Sequence, residues 1–429
     1  MPKLLVFCID ALCAHDIEYM RTLPNFGQIL QQGALVEKVE PVFPALTYSC
    51  HTSILTGTYV GRHGIVHNEM LDRGGKSGAP WYSLKHQING KTLLDEARER
   101  GLTTCSLAWP VSGAADYDFN MPMIVPYDYQ GYEPEKWLRR TATPNLLNRY
   151  FYKHGRYLKG PDRSLDLFTM ALALDILEDY EQPDVMLVKV CDLDGVRHMY
   201  GVYHEKTLQQ LRKHDEELGA IMEGLRRKGT FEDTNIVVLG DHGQTDIHDV
   251  LFMNLLLKEN GFLQTDGAGN LVSFDAFCHS ARLTAFIELR DPEDPELVKR
   301  TREFLESLGN DPKIQLDLVL DAKEAEQEYG LAGPFDFVIE SGLPISFDER
   351  TWGDSIWGSL TPGYKMVAAT HGGSPRRQEL TTFFACGPSI RQTVVHDHRS
   401  LVDLAPTMAN MLGFSMTNID GVAIKEILR

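Results

Sequence analysis

Val185-Met-Leu-Val-Lys-Val-Cys-Asp-Leu-Asp-Gly-Val-Arg-His198 is the stretch on which the fold turns. Val185 to Val190 is an apolar, β-branched run broken only by Lys189, the pattern of a strand covered on both faces. The period then changes. Asp194 and His198 stand four apart, so a turn of helix after the strand puts both on one face, and Gly195 between them permits a tight backbone. A buried strand running into a helix that carries a carboxylate and an imidazole predicts a wound α/β unit with its ligand groups beyond the strand's carboxyl end.

Similar runs recur on both sides: Leu4 to Ile9, Thr103 to Ala108, Asn235 to Leu239, Met366 to Thr370 and Thr381 to Ala385. Helical patterns alternate with them. Lys206 to Arg227 keeps Leu208, Leu211, Leu218, Ile221, Met222 and Leu225 on one stripe and ends at Gly229, Thr92 to Arg100 ends at Gly101, and Leu401 to Leu412 stops at Gly413. The alternation predicts a doubly wound, mostly parallel sheet flanked by helices. From Asp249 to about Tyr364 the pattern changes to a strand Leu283 to Leu289, a helix Pro295 to Leu308, a strand near Leu316 to Leu320 and a Gly/Pro-interrupted stretch. This predicts an inserted α+β cap, with core residues 1–250, cap 251–364 and core 365–429. Ala115 to Gly160, rich in Tyr and Pro, predicts loops over the core.

The 429 residues are 43% hydrophobic and 24% charged, without repeats or low-complexity runs, as in a packed enzyme. No apolar stretch approaches the roughly 18 residues of a membrane span. The amino terminus lacks the apolar stretch and cleavage site of a secretion signal, so a cytoplasmic protein is expected. The seven cysteines fit that compartment, because Cys8, Cys105, Cys191 and Cys386 lie in apolar runs as small hydrophobes. A net charge of -18 argues against a nucleic-acid polymer as partner. An anionic substrate then needs a local inversion of the field, which bound dications supply.

Four of the strands deliver polar residues: Asp10 after the first, Asp192, Asp194 and His198 after Val190, Asp241 and His242 after Gly240, and His371 after Thr370. One Asp after a strand is ordinary turn chemistry. The coincidence of Asp10, Asp194, Asp241, His198, His242 and His371 points to divalent transition metal, zinc or manganese. Thr47, in Pro44-Ala-Leu-Thr-Tyr-Ser-Cys-His51, precedes a helix whose free N–H groups favour an alkoxide and a phosphoryl group. It is either an N-cap or, with metals beside it, a nucleophile.

The order Asp10, Thr47, Asp194-x-x-x-His198, Asp241-His242-Gly243, His371-Gly resembles the alkaline phosphatase superfamily, and most closely its nucleotide pyrophosphatase/phosphodiesterase branch. The resemblance spans the chain from Asp10 to Asp403-Leu-Ala-Pro-Thr407. It implies one ion on Asp10, Thr47, Asp241 and His242, a second on Asp194, His198 and His371, and a phospho-threonine intermediate. It also implies Asn68 and the Tyr48 N–H as ligands of a phosphoryl oxygen, and matches Trp109-Pro110 to a Trp-Pro after a strand. Trp109 is accordingly expected among the residues that meet substrate. The Tyr48 ring stacks on a leaving group or simply packs. Lys189 replaces a nucleobase-stacking tyrosine, and either meets an anionic tail of the substrate or neutralises the acidic strand end. Asp192 is expected to orient a metal-bound histidine or Lys189. His51, His63, His67, His248, His279, His396 and His398 are expected to be structural or surface residues. Cys50 does not stand at the position of a sulfatase's converted cysteine, and the serine and arginine of a phosphomonoesterase are absent.

The expected function is thus a two-metal hydrolase of phosphodiester or pyrophosphate substrates acting on small molecules, as a monomer or homodimer. Within the same chemistry the alternative is a phosphonoacetate-hydrolase-like or other phosphoester hydrolase. From another class it is a metal-dependent phosphotransferase or phosphomutase.

Overall fold

A computed structural model describes residues 2–75, 80–123, 133–160, 163–358 and 368–429. At its centre lies a nine-stranded sheet. Its parallel part contains β1 (Lys3–Ile9), β3 (Thr104–Leu107), β4 (Phe119–Met121), β5 (Val185–Val190) and β6 (Thr234–Gly240), in the order β6-β1-β5-β3-β4. Beyond β6 the Thr381–Cys386 strand runs antiparallel between β6 and β2 (Ala34–Glu40). The sheet is therefore mixed at one side and parallel through its middle.

β1 shows why both faces are covered. Leu4, Val6 and Cys8 enter one core with Ile54, Leu93, Leu404 and Met408 of the helices below, while Leu5, Phe7 and Ile9 enter a second core with Phe26, Ile176, Leu211 and Leu218 above. The long Glu205–Lys228 helix caps this second layer and ends at Gly229, whose φ of +71 is the left-handed turn glycine permits.

Two expectations are corrected. Ala115 to Gly160 is not a set of loops where it is described: it holds β4 and the helices Pro134–Thr141 and Pro144–His154. Met366 to Thr370 is not a strand of the main sheet. Met366 itself lies outside the described residues, and Ala369–Thr370 pairs with Thr245–Asp246 as a separate two-stranded ribbon. Thr381–Cys386 runs antiparallel within the mostly parallel sheet that the alternation predicts.

Within residues 251–364 an antiparallel sheet has the order Ala276–Ala281, Thr284–Leu289, Phe337–Ser341, Leu316–Asp321. One of its faces packs Ile287, Phe337 and Ile339 with Leu297 and Leu305 of the Pro295–Ser307 helix. Its other face joins the main core through Phe286, Leu318 and Val338. Shared apolar packing thus fixes this sheet against the core.

Candidate active site

The parallel strands end level. Ile9 pairs with Val190 on one side and with Gly240 on the other, so Asp10, the turn after Val190 and Asp241 emerge at one height on one edge. His371 reaches the same edge from the Ala369–Thr370 ribbon.

There the structure brings together two ligand clusters, Asp10 with Asp241 and His242, and Asp194 with His198 and His371. Within each, ligand-type atoms lie no more than 4.8 Å apart. The imidazoles of His242 and His371 stack at 3.9 Å between centroids and join the two sets. Thr47 Oγ1 lies 3.2 Å from His242 Nε2. That nitrogen is in turn 3.5 Å from Asp10 Oδ1 and 3.2 Å from Asp241 Oδ2.

The donor chemistry fits cations. His198 Nδ1 lies 2.7 Å from the Ala369 carbonyl, His371 Nδ1 2.9 Å from Ala45 O, and His242 Nδ1 3.0 Å from Gly243 O. A carbonyl only accepts, so each Nδ1 carries the proton and each Nε2 presents a lone pair to the cluster. Asp10 Oδ1 and Asp241 Oδ2 are buried and accept no hydrogen bond, which is costly for a carboxylate unless a cation satisfies it.

Burial and the Asp241 charge push Asp10 upward, with Lys189 opposing them. Burial also works to raise Asp241 and Asp194, but His242 and His51 outweigh it at Asp241, and His198 and His371 at Asp194, holding both well below the usual carboxylate range. Burial and His242 hold His371 far below the usual imidazole value.

Thr47 opens the Thr47–Thr56 helix, all ten residues of which are buried. Hydroxyls make that burial possible: Thr52 Oγ1 donates to Tyr48 O and Thr56 Oγ1 to Thr52 O, a turn back. His51, one turn on from Thr47, has Nδ1 at 2.7 Å from Thr47 O and 3.2 Å from Asp241 Oδ2, so its proton goes to the nearer carbonyl.

Several expected contacts turn out otherwise. Asn68 Oδ1 accepts from the Tyr48 N–H at 3.0 Å, so the two donors expected to meet on one oxygen are bonded to each other. The Tyr48 ring is 2% exposed and packs edge-on against Trp81 at 5.3 Å, among Ile65, Ile88 and Val111. Trp109 is buried and donates Nε1–H to His51 O, with no surface left for a substrate. Lys189 is also not a substrate contact: fully buried, it puts Nζ 2.6 Å from Asp10 Oδ2 and 3.0 Å from Cys191 Sγ, which is the alternative of neutralising the strand end. Asp192 points away and pairs with Lys213 at 2.8 Å.

Two supporting residues escaped the sequence reading. Gln244 Nε2 donates to Asp194 Oδ1 at 2.6 Å, and the Ala11 N–H donates to Asp241 Oδ1 at 3.1 Å. Their only signal is position, just past Asp241 and Asp10. The remaining histidines bond elsewhere: His63 to Ser53, His67 to the Ser280 carbonyl, His279 to Glu288, His396 to Glu37 and His398 to Glu40, while the His248 backbone N–H donates to Pro344 O. A third cluster, Cys13 with His15 and Asp16, is occupied by the Arg197 guanidinium, bonded to Asp16 at 2.6 and 2.8 Å.

A family model described as type I phosphodiesterase / nucleotide pyrophosphatase matches residues 4–328. Ectonucleotide pyrophosphatase/phosphodiesterase family member 3 of Bos taurus is 26% identical over 249 residues, which is 57% of this chain and 25% of the relative. Family member 1 of Homo sapiens is 26% identical over 280 residues, 60% of this chain and 25% of its own. The venom phosphodiesterase of Naja atra is 23% identical over 262 residues, 57% and 26% of the two chains. The chain thus spans about a quarter of the length of these relatives. In fold it is similar to murine ectonucleotide pyrophosphatase/phosphodiesterase 5, with a TM-score of 0.69 at 17% identity and 100% of each chain covered. An inactive threonine-to-alanine variant of that murine protein, in complex with AMP, gives 0.69 at 16% identity and the same coverage. The fold is thereby alkaline-phosphatase-like.

Proposed function

Because the chain belongs to the type I phosphodiesterase/nucleotide pyrophosphatase family, we propose that it hydrolyses phosphodiester or pyrophosphate bonds in small, nucleotide-like substrates through a phospho-threonine on Thr47. One observation carries this reading: the Thr47 hydroxyl stands 3.2 Å from His242 Nε2, at a helix amino terminus, beside two buried ligand clusters. Asp10, Thr47, Asp241 and His242 would hold one divalent cation and Asp194, His198 and His371 the other, with zinc or manganese suited to such a His/carboxylate set. When bound, the ions acidify hydroxyls and neutralise phosphoryl charge.

The protein's own groups do the rest. The helix amino terminus favours the Thr47 alkoxide and an incoming phosphoryl group over their neutral forms. The Asn68 amide, held by its bond to the Tyr48 N–H, donates to a non-bridging oxygen. Thr47 gives up its hydroxyl proton and attacks phosphorus, the alcohol or phosphate leaves from the opposite side taking up a proton from solvent, and water then breaks the Thr47–phosphorus bond, restoring the hydroxyl and releasing a phosphomonoester. The Ala11 N–H and Lys189 steady Asp241 and Asp10.

Residues 251–364 act in this reading as a cap over the core. The seven free cysteines suit a reducing cytoplasm. An AMP complex of the murine structural relative accords with a small-molecule substrate.

The test is an assay panel with added zinc or manganese: bis(p-nitrophenyl) phosphate, p-nitrophenyl phosphate, a dinucleoside pyrophosphate and phosphonoacetate, each with wild type and Thr47→Ala. Diester or pyrophosphate cleavage that disappears in Thr47→Ala is expected. A preference for the monoester or for phosphonoacetate overturns the substrate class, and full turnover by Thr47→Ala overturns the nucleophile.

A further inference from the structure

Beside the ligand clusters lies a cavity of about 260 Å³, lined among others by Leu46, Asn68, Trp81, Arg282, Glu349 and His371. It is slightly smaller than the ~300–1,000 Å³ usual for small-molecule sites, so it suits a compact group rather than a whole nucleotide. Asn68 and His371 tie it to the place where the phosphoryl group is bound.

Arg282 occupies the turn between the Ala276–Ala281 and Thr284–Leu289 strands. Its φ is +74, a left-handed backbone that a glycine adopts freely and an arginine only at a cost. The turn is held there from three sides. The Phe347 N–H donates to Arg282 O at 2.7 Å, the Arg282 N–H donates to Ser280 Oγ at 3.2 Å, and the Leu283 N–H donates to His371 O at 3.3 Å. The last bond couples the turn to a metal-ligand candidate. An arginine kept in a glycine conformation at this point, half-buried, is explained if its side chain acts there.

The guanidinium makes no hydrogen bond or ion pair among the described residues. Glu69, Asp348 and Glu349 line the same cavity, and the Arg282 charge reaches Glu69 and Glu349 without a direct ion pair. Asp348 is bound by Arg350 at 3.0 and 3.1 Å, and Glu349 accepts the Ser280 N–H at 3.0 Å. Burial raises both Glu349 and Glu69, and the Arg282 charge opposes that rise at each. Burial also lowers His67 to about 4, so it stays neutral and donates to Ser280 O.

We infer that Arg282 is a specificity residue that selects substrates bearing a second anionic group, a further phosphate or a carboxylate, next to the phosphoryl group that is cleaved. The inference rests on the active-site reading above and names the substrate class that site prefers. A planar guanidinium without a fixed partner grips either oxyanion through two parallel N–H bonds, and Trp81 gives the adjoining wall an aromatic surface.

The test is equilibrium binding of a matched pair to the zinc-loaded protein: 3-phosphonopropionate, and propylphosphonate, which lacks the carboxylate. Methylenediphosphonate against methylphosphonate separates a phosphate from a carboxylate preference. Wild type should favour the member of each pair that carries the second anionic group. Arg282→Gln should lose about tenfold or more on that partner with little change on the other, and Arg282→Lys should recover part of the loss. Equal losses on both partners, or none, overturn the assignment. Hydrolysis of bis(p-nitrophenyl) phosphate by wild type is scored separately: its absence counts against the hydrolase reading, while the ligand pairs still decide Arg282.

Discussion

The His51 imidazole touches no substrate, yet it donates to Thr47 O, lies 3.2 Å from Asp241 Oδ2 and meets the Trp109 edge. Removing such a support beneath a metal ligand typically costs about 10- to 100-fold in metal affinity. His51→Ala should therefore weaken zinc uptake by that order, measured by competition with a chromophoric chelator, while Asn68→Ala, outside the ligand set, should leave it intact. Lys189 gives an opposite signature. Its pair with Asp10 is fully buried, and breaking one costs about 3–5 kcal/mol, so Lys189→Met should lower the denaturation midpoint sharply. It should also scale kcat/KM equally for substrates with and without a second anionic group. A loss confined to the more anionic substrates would restore the substrate-contact role. That Lys189 faces inward was not evident from its place in the strand, because both faces of β5 are covered and alternation alone gives no solvent side. Asp10, Asp241 and His242 were legible for the converse reason: a carboxylate or imidazole at the end of a buried parallel strand has one edge to reach.

The tip of the Ala276–Leu289 hairpin and the loop after His371 interlock tightly. A Cβ at Gly372, whose φ is +98, would meet Ala281 O at 2.0 Å. Gly372→Ala should thus destabilise by about 1–3 kcal/mol, and elemental analysis should find less metal bound, since His371 moves with the loop. The Val60–His63 turn carries a pH dependence of its own. His63 Nδ1 accepts the Ile65 N–H and Nε2 faces Ser53 Oγ, so the buried ring has no place for a second proton, and burial lowers it to about 3. Its folded value lies below the unfolded one, so the unfolded chain takes up the proton first. The stability is present above about pH 6.5 and is lost as pH falls towards 3, reaching about 2 kcal/mol at pH 5. His63→Gln should flatten denaturant midpoints between pH 7.5 and 5 by that amount, and an unchanged slope would contradict it. The helices Pro134–Thr141 and Pro144–His154 lie in a Tyr- and Pro-rich stretch that reads as loops, yet proline opens each helix at the position where its absent N–H costs nothing. The ribbon bearing His371 was missed for a different reason. A short apolar run looks alike whether it pairs inside a large sheet or with two residues of a neighbouring loop.

Across the molecule, the ligand clusters draw on β1, β5, β6 and the ribbon, so bound cations tie distant segments of chain together. Ions that bind only the folded state stabilise it by mass action, about 4 kcal/mol per site at a thousandfold excess over Kd. Exhaustive chelation should accordingly lower the melting temperature and abolish turnover together, with both restored by zinc or manganese at two equivalents per chain. A stoichiometry of one would remove half of the proposed arrangement. The parallel layer and its helices were legible because their periods are simple, while the second sheet was read only in part. Two of its strands, Ala276–Ala281 and Phe337–Ser341, carry Cys, His, Ser and Glu on faces that turn out to be covered. The position of His371 also bears on how the protein is made. Thr47 and Asp241 leave the ribosome long before the segment that brings His371 back to the sheet edge, so a prematurely ended chain holds the Thr47 hydroxyl and the first cluster but an unfinished second cluster. In the proposed arrangement a chain cut before His371 should therefore bind the second ion poorly, which elemental analysis of such a truncation would test.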